Sequence, residues 1–153
     1  MAKHPTSKAK VFVDSSVLLA ASLSSTGSAA DLITFAATGE ITLCLSQVVL
    51  DEVERNLQLK APQGMPRFRL MRDQLASALA APSQDLIDEV ARVVEPKDAP
   101  IVAGAIAIQA EYIVSYDRRH LVDRTAAIES AFSIPVLTPA DLLLTIGLPR
   151  IEH

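Results

Sequence analysis

The runs Val11-Phe12-Val13, Leu43-Cys44-Leu45 and Tyr112-Ile113-Val114 are apolar at every position, and segments of helical character separate them. Side chains alternate between the two faces of a strand, so a strand that is apolar throughout has to be covered on both sides. Short, doubly buried strands alternating with helices define the α/β class: a central parallel sheet of four to five short strands flanked by helices on both faces. Such sheets bind ligands beyond the carboxyl ends of their strands. The residues that follow each apolar run are therefore where chemistry is expected.

Local signals fill in this frame. Residues 1–9 are expected to form a flexible arm, 10–147 a single domain and 148–153 a tail. Strands are predicted at 10–14, 41–45, 112–116 and 134–137. Helices are predicted at 15–23 and 28–38, with Gly27-Ser28 as the break and Gly39 as the stop. Ser46 is a good N-cap for a helix reaching about Lys60. Residues 61–66, with two prolines and a glycine, read as a loop. Further helices are predicted over 67–80 and 84–94, from Pro96-Lys97-Asp98 to about Gln109, over 124–131, and over 139–146 with Pro139 in its first turn.

Composition narrows the function classes. The chain has 153 residues, half of them apolar, which suits one domain with a real core. Aromatic residues make up 4% and Trp is absent, which argues against a base-stacking surface of the RRM or OB type. Cys44 is the only cysteine, so an internal disulfide and a multi-cysteine zinc site are excluded. It reads as a small core residue of a protein in a reducing compartment. No signal peptide is visible, and the longest apolar stretch, Ala99 to Ile108, is too short to cross a bilayer. A soluble, cytoplasmic protein without membrane contact is the expectation. The sequence has no G-x-G-x-x-G, P-loop or G-x-S-x-G segment, and so gives no support to dehydrogenase, kinase or serine hydrolase chemistry. His4, His120 and His153 suggest no acid–base pair, and His120 reads as a turn residue.

Four acids sit where carboxylates are awkward. Asp14 ends the first apolar run and Asp117 follows the third. On a helical wheel Val48, Val49, Leu50, Val53 and Leu57 form one apolar arc, and Glu52 falls between Val48 and Val49, whereas Asp51, Glu54 and Arg55 fall outside. Asp98 opens a helix with no polar face. Each has a plain structural reading: Asp14 and Asp117 as caps, Glu52 as a boundary residue paired with Arg55 or Asn56, Asp98 as an N-cap. Together they point to a site. Two carboxylates about 4 Å apart repel by about 4 kcal/mol at an effective dielectric of about 20. A hard divalent cation relieves this, and oxygen ligands suit Mg2+ or Mn2+. Such a metal suits phosphodiester hydrolysis. The formal net charge is −4, and without these four acids the chain is charge-balanced. Contact with a polyanion would therefore rest on local cations. Arg55, Arg67, Arg69, Arg72, Arg118 and Arg119 are the candidates.

With these residues in view, the chain resembles the PIN-domain family from about Lys10 to Gly147. The segments that carry the resemblance are Val11-Phe12-Val13-Asp14-Ser15-Ser16-Val17-Leu18, Leu45-Ser46-Gln47-Val48-Val49-Leu50-Asp51-Glu52-Val53, Pro96-Lys97-Asp98-Ala99-Pro100-Ile101-Val102, and Tyr112-Ile113-Val114-Ser115-Tyr116-Asp117. The resemblance implies a Rossmann-like sheet and a Mg2+- or Mn2+-dependent nuclease that acts on RNA. Asp14, Glu52, Asp98 and Asp117 would be its catalytic and metal-binding acids, with Ser16 and Ser115 orienting them or a water. It is nearest to the small prokaryotic members, many of them VapC-type toxins held inactive by an antitoxin protein and commonly homodimeric. The chain departs from the pattern in one place: Arg119 stands where many members have an acid or Asn, which puts a second metal in doubt. The alternatives are an RNA-processing factor or a non-catalytic scaffold with the same fold.

Overall fold

The computed structural model describes residues 8–75 and 79–152. Strand β1 (Ala9–Val13) is central, between β2 (Ile41–Ser46) and β4 (Tyr112–Val114); β3 (Leu79–Ala80) and β5 (Val136–Leu137) are the edges. The order is β3-β2-β1-β4-β5 and every pairing is parallel. Phe12 stands opposite Cys44 on one side and Ile113 on the other. Helices α1 (Ser15–Leu23) and α2 (Ser28–Ala37) connect β1 to β2, and α3 (Gln47–Lys60) and α4 (Met65–Leu75) connect β2 to β3. Helices α5 (Gln84–Val90) and α6 (Ala99–Ala107) lead back to β4, α7 (Thr125–Phe132) leads to β5, and α8 (Pro139–Ile146) follows. From β1 the chain builds outward to β3, then returns to the other side of β1 as β4. That reversal opens a crevice beyond the carboxyl ends of β1 and β4.

Val11, Phe12 and Val13 are all fully buried, as expected for a strand covered on both faces. Helix α6 lies close to the sheet because residue 104 has no side chain: a Cβ there would sit 3.0 Å from Phe12 Cζ. Helix α1 packs on α2, α3 and α4, and α5 packs on α6. Among the described residues no single helix is long and apolar enough to cross a membrane.

Several boundaries differ from those expected. Of the predicted arm, residues 1–7 lie outside the described residues, and β1 already begins at Ala9. Lys10 is fixed from both ends, its N–H donating to Glu111 Oε1 at 3.0 Å and its Nζ to the Ile108 carbonyl at 2.8 Å. The predicted loop at 61–66 contains a 3-10 turn, Pro62–Gly64, and α4 starts directly after it. The helix expected over 67–80 ends at Leu75, residues 76–78 lie outside the described residues, and Leu79–Ala80 is a strand. Its pairing with Leu45 and Ser46, not its composition, makes it one. Helix α5 stops at Val90 and gives way to turns, and β4 stops at Val114. Residues 148–153 were expected to be a tail, yet the fully buried Asp31 of α2 accepts hydrogen bonds from Arg150 Nε at 2.8 Å and Ile151 N–H at 3.2 Å.

Candidate active site

Asp14, Glu52, Asp98 and Asp117 line one cavity of about 270 Å3, together with Ser15, Ser16, Val48, Lys97 and Ile101. The cavity lies in the crevice between the ends of β1 and β4.

Asp14 is held hardest. Its N–H continues the ladder to the Val114 carbonyl at 3.0 Å. Its Oδ1 accepts from Ser15 N–H at 2.8 Å and so caps α1, while Oδ2 accepts from Ser115 Oγ at 2.7 Å and Ser16 Oγ at 3.0 Å. Each hydroxyl is polarised in turn by a backbone donor: Tyr116 N–H to Ser16 Oγ at 3.0 Å, and Asp117 N–H to Ser115 Oγ at 2.9 Å. A hydroxyl that accepts from the backbone and donates to a carboxylate fixes both. The two serines thus couple the end of β1 to the turn after β4. The capping and site readings of Asp14 are compatible.

Asp117 lies three residues beyond the end of β4, not at the strand end. Its backbone carbonyl accepts from Leu121 and Val122 N–H at 3.1 and 3.0 Å, and its Oδ1 from His120 N–H at 3.1 Å. The turn it caps leaves its other carboxylate oxygen without a hydrogen bond from a described residue.

Asp98 departs from the expectation that its side chain caps α6. Its backbone holds the N-cap position, but the carboxylate makes no capping bond. The reason is local: Pro100 has no N–H to offer, the Ala99 N–H goes to the Glu95 carbonyl at 3.1 Å, and the Ile101 N–H goes to the Asp98 carbonyl at 3.1 Å. With no donor left, the side chain turns into the cavity. It is buried, with Oδ2 fully covered and accepting no hydrogen bond. Burial pushes its pKa up, and the charges of Asp117 and Asp14 add to this; Lys97 and His120 oppose it.

Glu52 is half-buried on α3, whose start is capped by Ser46. Neither Arg55 nor Asn56 pairs with its carboxylate; Asn56 Nδ2 donates instead to the Glu52 backbone carbonyl at 2.9 Å. Val49, Leu50, Val53 and Leu57 are buried as the wheel required, but Val48 is 52% exposed. The Val48–Glu52 edge of the arc faces the cavity and not the core. Asp51 and Glu54 point elsewhere, Asp51 to Gln47 Nε2 at 2.9 Å and Glu54 towards Arg72 at 3.9 Å.

The six arginines do not gather here. None of Arg55, Arg67, Arg69, Arg72, Arg118 and Arg119 lines the cavity. Arg55 lies nearly one turn beyond Glu52 on the same side of α3. On α4, Arg67 and Arg69 are about 160° apart, so they cannot share a patch. Arg72 is engaged by Glu54 and Asp73 and lies over the Phe68 ring. Asp123 does not replace the acid absent at 119; it is exposed and outside the cavity. Two residues given no role from the sequence do reach the site. Lys97 lines it, and His120 Nδ1 stands 4.0 Å from Asp98 Oδ2 and 3.7 Å from Glu95 Oε1. The signal for Lys97 was its place beside Asp98; for His120 it was the three-residue spacing from Asp117.

The PIN domain family model matches residues 10–119, more than half of the chain and the span that contains all four acids. The chain belongs to the PIN-domain family. A crystal structure of PAE2754 from Pyrobaculum aerophilum has the same fold, with a TM-score of 0.56 over 91% of this chain and 90% of that one, at 18% identity. A search of curated protein sequences gave no match. PIN domains are generally nucleases and use divalent metals. The donor set here fits such an ion: hard oxygens only, one of them a buried Asp98 oxygen that accepts no hydrogen bond. Among the described residues, however, no three His, Cys, Asp or Glu side chains are gathered closely enough to enclose an ion by themselves.

Proposed function

We propose that this PIN domain is a divalent-metal-dependent endoribonuclease and the toxin of a toxin–antitoxin pair, acting in the cytoplasm as a homodimer. The observation that carries the nuclease reading is the buried Asp98 oxygen that accepts no hydrogen bond and faces a cavity that also holds Asp14, Glu52 and Asp117. Leaving a buried charged acceptor unsatisfied costs a few kcal/mol, so its upkeep argues for a positive ligand.

Mg2+ or Mn2+ would be held by one or two of Asp14, Asp98 and Asp117 directly and by the other acids, Glu52 included, through its waters. The looseness of the acids suits Mg2+, which keeps several waters and commonly takes one or two carboxylates plus phosphate oxygens. The ion supplies Lewis acidity to water and phosphate. The protein supplies the rest. Ser16 and Ser115 hold Asp14 in one orientation, so the site does not reorganise when charge develops. A carboxylate of the cavity, Asp98 or Glu52, is placed to take the proton from an attacking water. Hydrolysis then breaks the bond between phosphorus and the leaving oxygen, which departs with a proton from solvent.

The toxin reading rests on the family resemblance and on a compact domain in which, among the described residues, the candidate arginines do not line the acidic cavity. An antitoxin segment carrying an Arg or Lys could enter the acidic cavity and block RNA. Expression of the chain alone should arrest growth, and purified protein should cut RNA in Mn2+ but not in EDTA. Asp14→Asn and Asp117→Asn should abolish both effects. Equal toxicity of these variants would favour the second reading, a binding scaffold, which the absence of a closed ligand cluster among the described residues supports. Cleavage without toxicity would favour an RNA-processing role.

A further inference from the structure

A cavity walled by four carboxylates repels the phosphodiester it is proposed to cut. A metal ion offsets part of that charge, but the rest of the phosphate needs cations on the wall. The six arginines near the site in sequence do not line it. Among the described residues Lys97 is the cationic side chain that does, and it is exposed and within ion-pair distance of no described carboxylate. Its backbone is not free to swing away. The turn at 95–98 is closed by Asp98 N–H and Ala99 N–H, both donating to the Glu95 carbonyl at 2.9 and 3.1 Å, with Pro96 fixing one φ. Lys97 therefore stands on a braced turn, beside Asp98, whose buried Oδ2 accepts no hydrogen bond. A compact ammonium with three donors suits phosphate oxygens.

From this arrangement we infer that Lys97 is a substrate-binding residue, taking the phosphate of the RNA strand in the acidic cavity and supplying there the positive charge that Arg119, which does not line the cavity, does not provide. The inference rests on the nuclease reading. A residue that only maintained the fold, or only neutralised Asp98, would behave differently, because phosphate binding and metal binding respond to Lys97 with opposite signs. Its ammonium attracts the phosphate and repels the cation.

The test compares wild type, Lys97→Met and Lys97→Arg. Mn2+ affinity is measured by calorimetry on RNA-free protein, and cleavage of a single-stranded RNA oligonucleotide is measured at saturating Mn2+. Lys97→Met should bind Mn2+ severalfold more tightly. Its kcat/KM should fall at least tenfold, about 1.4 kcal/mol, and the slope of log kcat/KM against log salt should flatten by about 0.7. Lys97→Arg should stay within about threefold of wild type on both measures. Lys97→Met cleavage within twofold of wild type with an unchanged salt slope would overturn the assignment and leave the nuclease reading standing. Joint loss of Mn2+ affinity and cleavage would make Lys97 structural and overturn it equally. If the wild type binds Mn2+ and cuts no RNA, the nuclease reading falls and this inference falls with it.

Discussion

Replacing Asp98 by Asn should stabilise the metal-free protein, contrary to the usual effect of altering a buried helix-start aspartate. In the folded chain Asp98 Oδ2 is covered and takes no hydrogen bond, and Asp117 and Asp14 face it with like charge. Its pKa is therefore raised above the ordinary 3.8. Between that value and the raised one, the native state holds more protons than the unfolded chain, so stability falls as pH rises and stays lowered above the folded pKa. Asn carries no charge but keeps a buried polar atom, so about 1 kcal/mol of the roughly 1–3 kcal/mol penalty should be recovered. For a chain of this size that corresponds to a Tm about 2–4 °C higher. Thermal melts in EDTA at neutral pH should show this gain, and it should shrink to nothing as the pH falls towards 3.8. With Mn2+ at about a hundred times its Kd the order should reverse, because ligation adds about 2.7 kcal/mol to wild type. A Asp98→Asn protein that melts below wild type in EDTA at neutral pH would refute the reasoning and return Asp98 to the role of structural cap.

Asp14→Asn should behave in the opposite way. An amide N–H2 cannot accept from Ser16 and Ser115, so a loss of about 1–2 kcal/mol is expected in EDTA by chemical denaturation, along with loss of cleavage. Ser115→Ala should keep the fold but lower Mn2+ affinity or cleavage about 10–100-fold, as expected when an orienting partner of a ligand is removed; calorimetry would detect it, and unchanged affinity and cleavage would show that Ser16 suffices. Arg67→Gln should leave RNA cleavage within about twofold, because that side chain lies on the other side of α4 from Arg69 and borders a separate depression with Ala21, Ser25 and Thr34; a large loss would place the RNA path there. Arg150→Ala should cost roughly 1–3 kcal/mol in urea melts by removing a charged hydrogen bond from the buried Asp31, and no loss would mean that the remaining partners of Asp31 suffice.

The sequence by itself determined what depends on local burial. Runs apolar at every position required a sheet covered on both faces, and the buried β1 and β4 meet that requirement. The wheel of α3 separated Glu52 from Asp51 and Glu54, and the acids following β1 and β4 fall near strand ends because the runs stop there. Asp98 was legible further than it was read: Pro100, two residues on, already removes the donor a cap needs. The tertiary structure decided whatever depends on which distant segments meet. Leu79–Ala80 is too short and too helix-like to declare itself a strand, and it becomes one through hydrogen bonds to β2. Val48 follows a core pattern but is exposed, because the helix edge that carries it meets an open crevice. His120 approaches Asp98, and Arg150 closes on Asp31 across 119 positions of sequence, only because chain reversal brings those segments together. The arginines named as candidate phosphate contacts do not line the cavity, and the turn of α4 sets Arg67 and Arg69 on different sides of the helix. Hydrophobic periodicity records how each residue relates to the nearest buried surface, whereas the partners across a crevice are set by strand order, which no local pattern encodes.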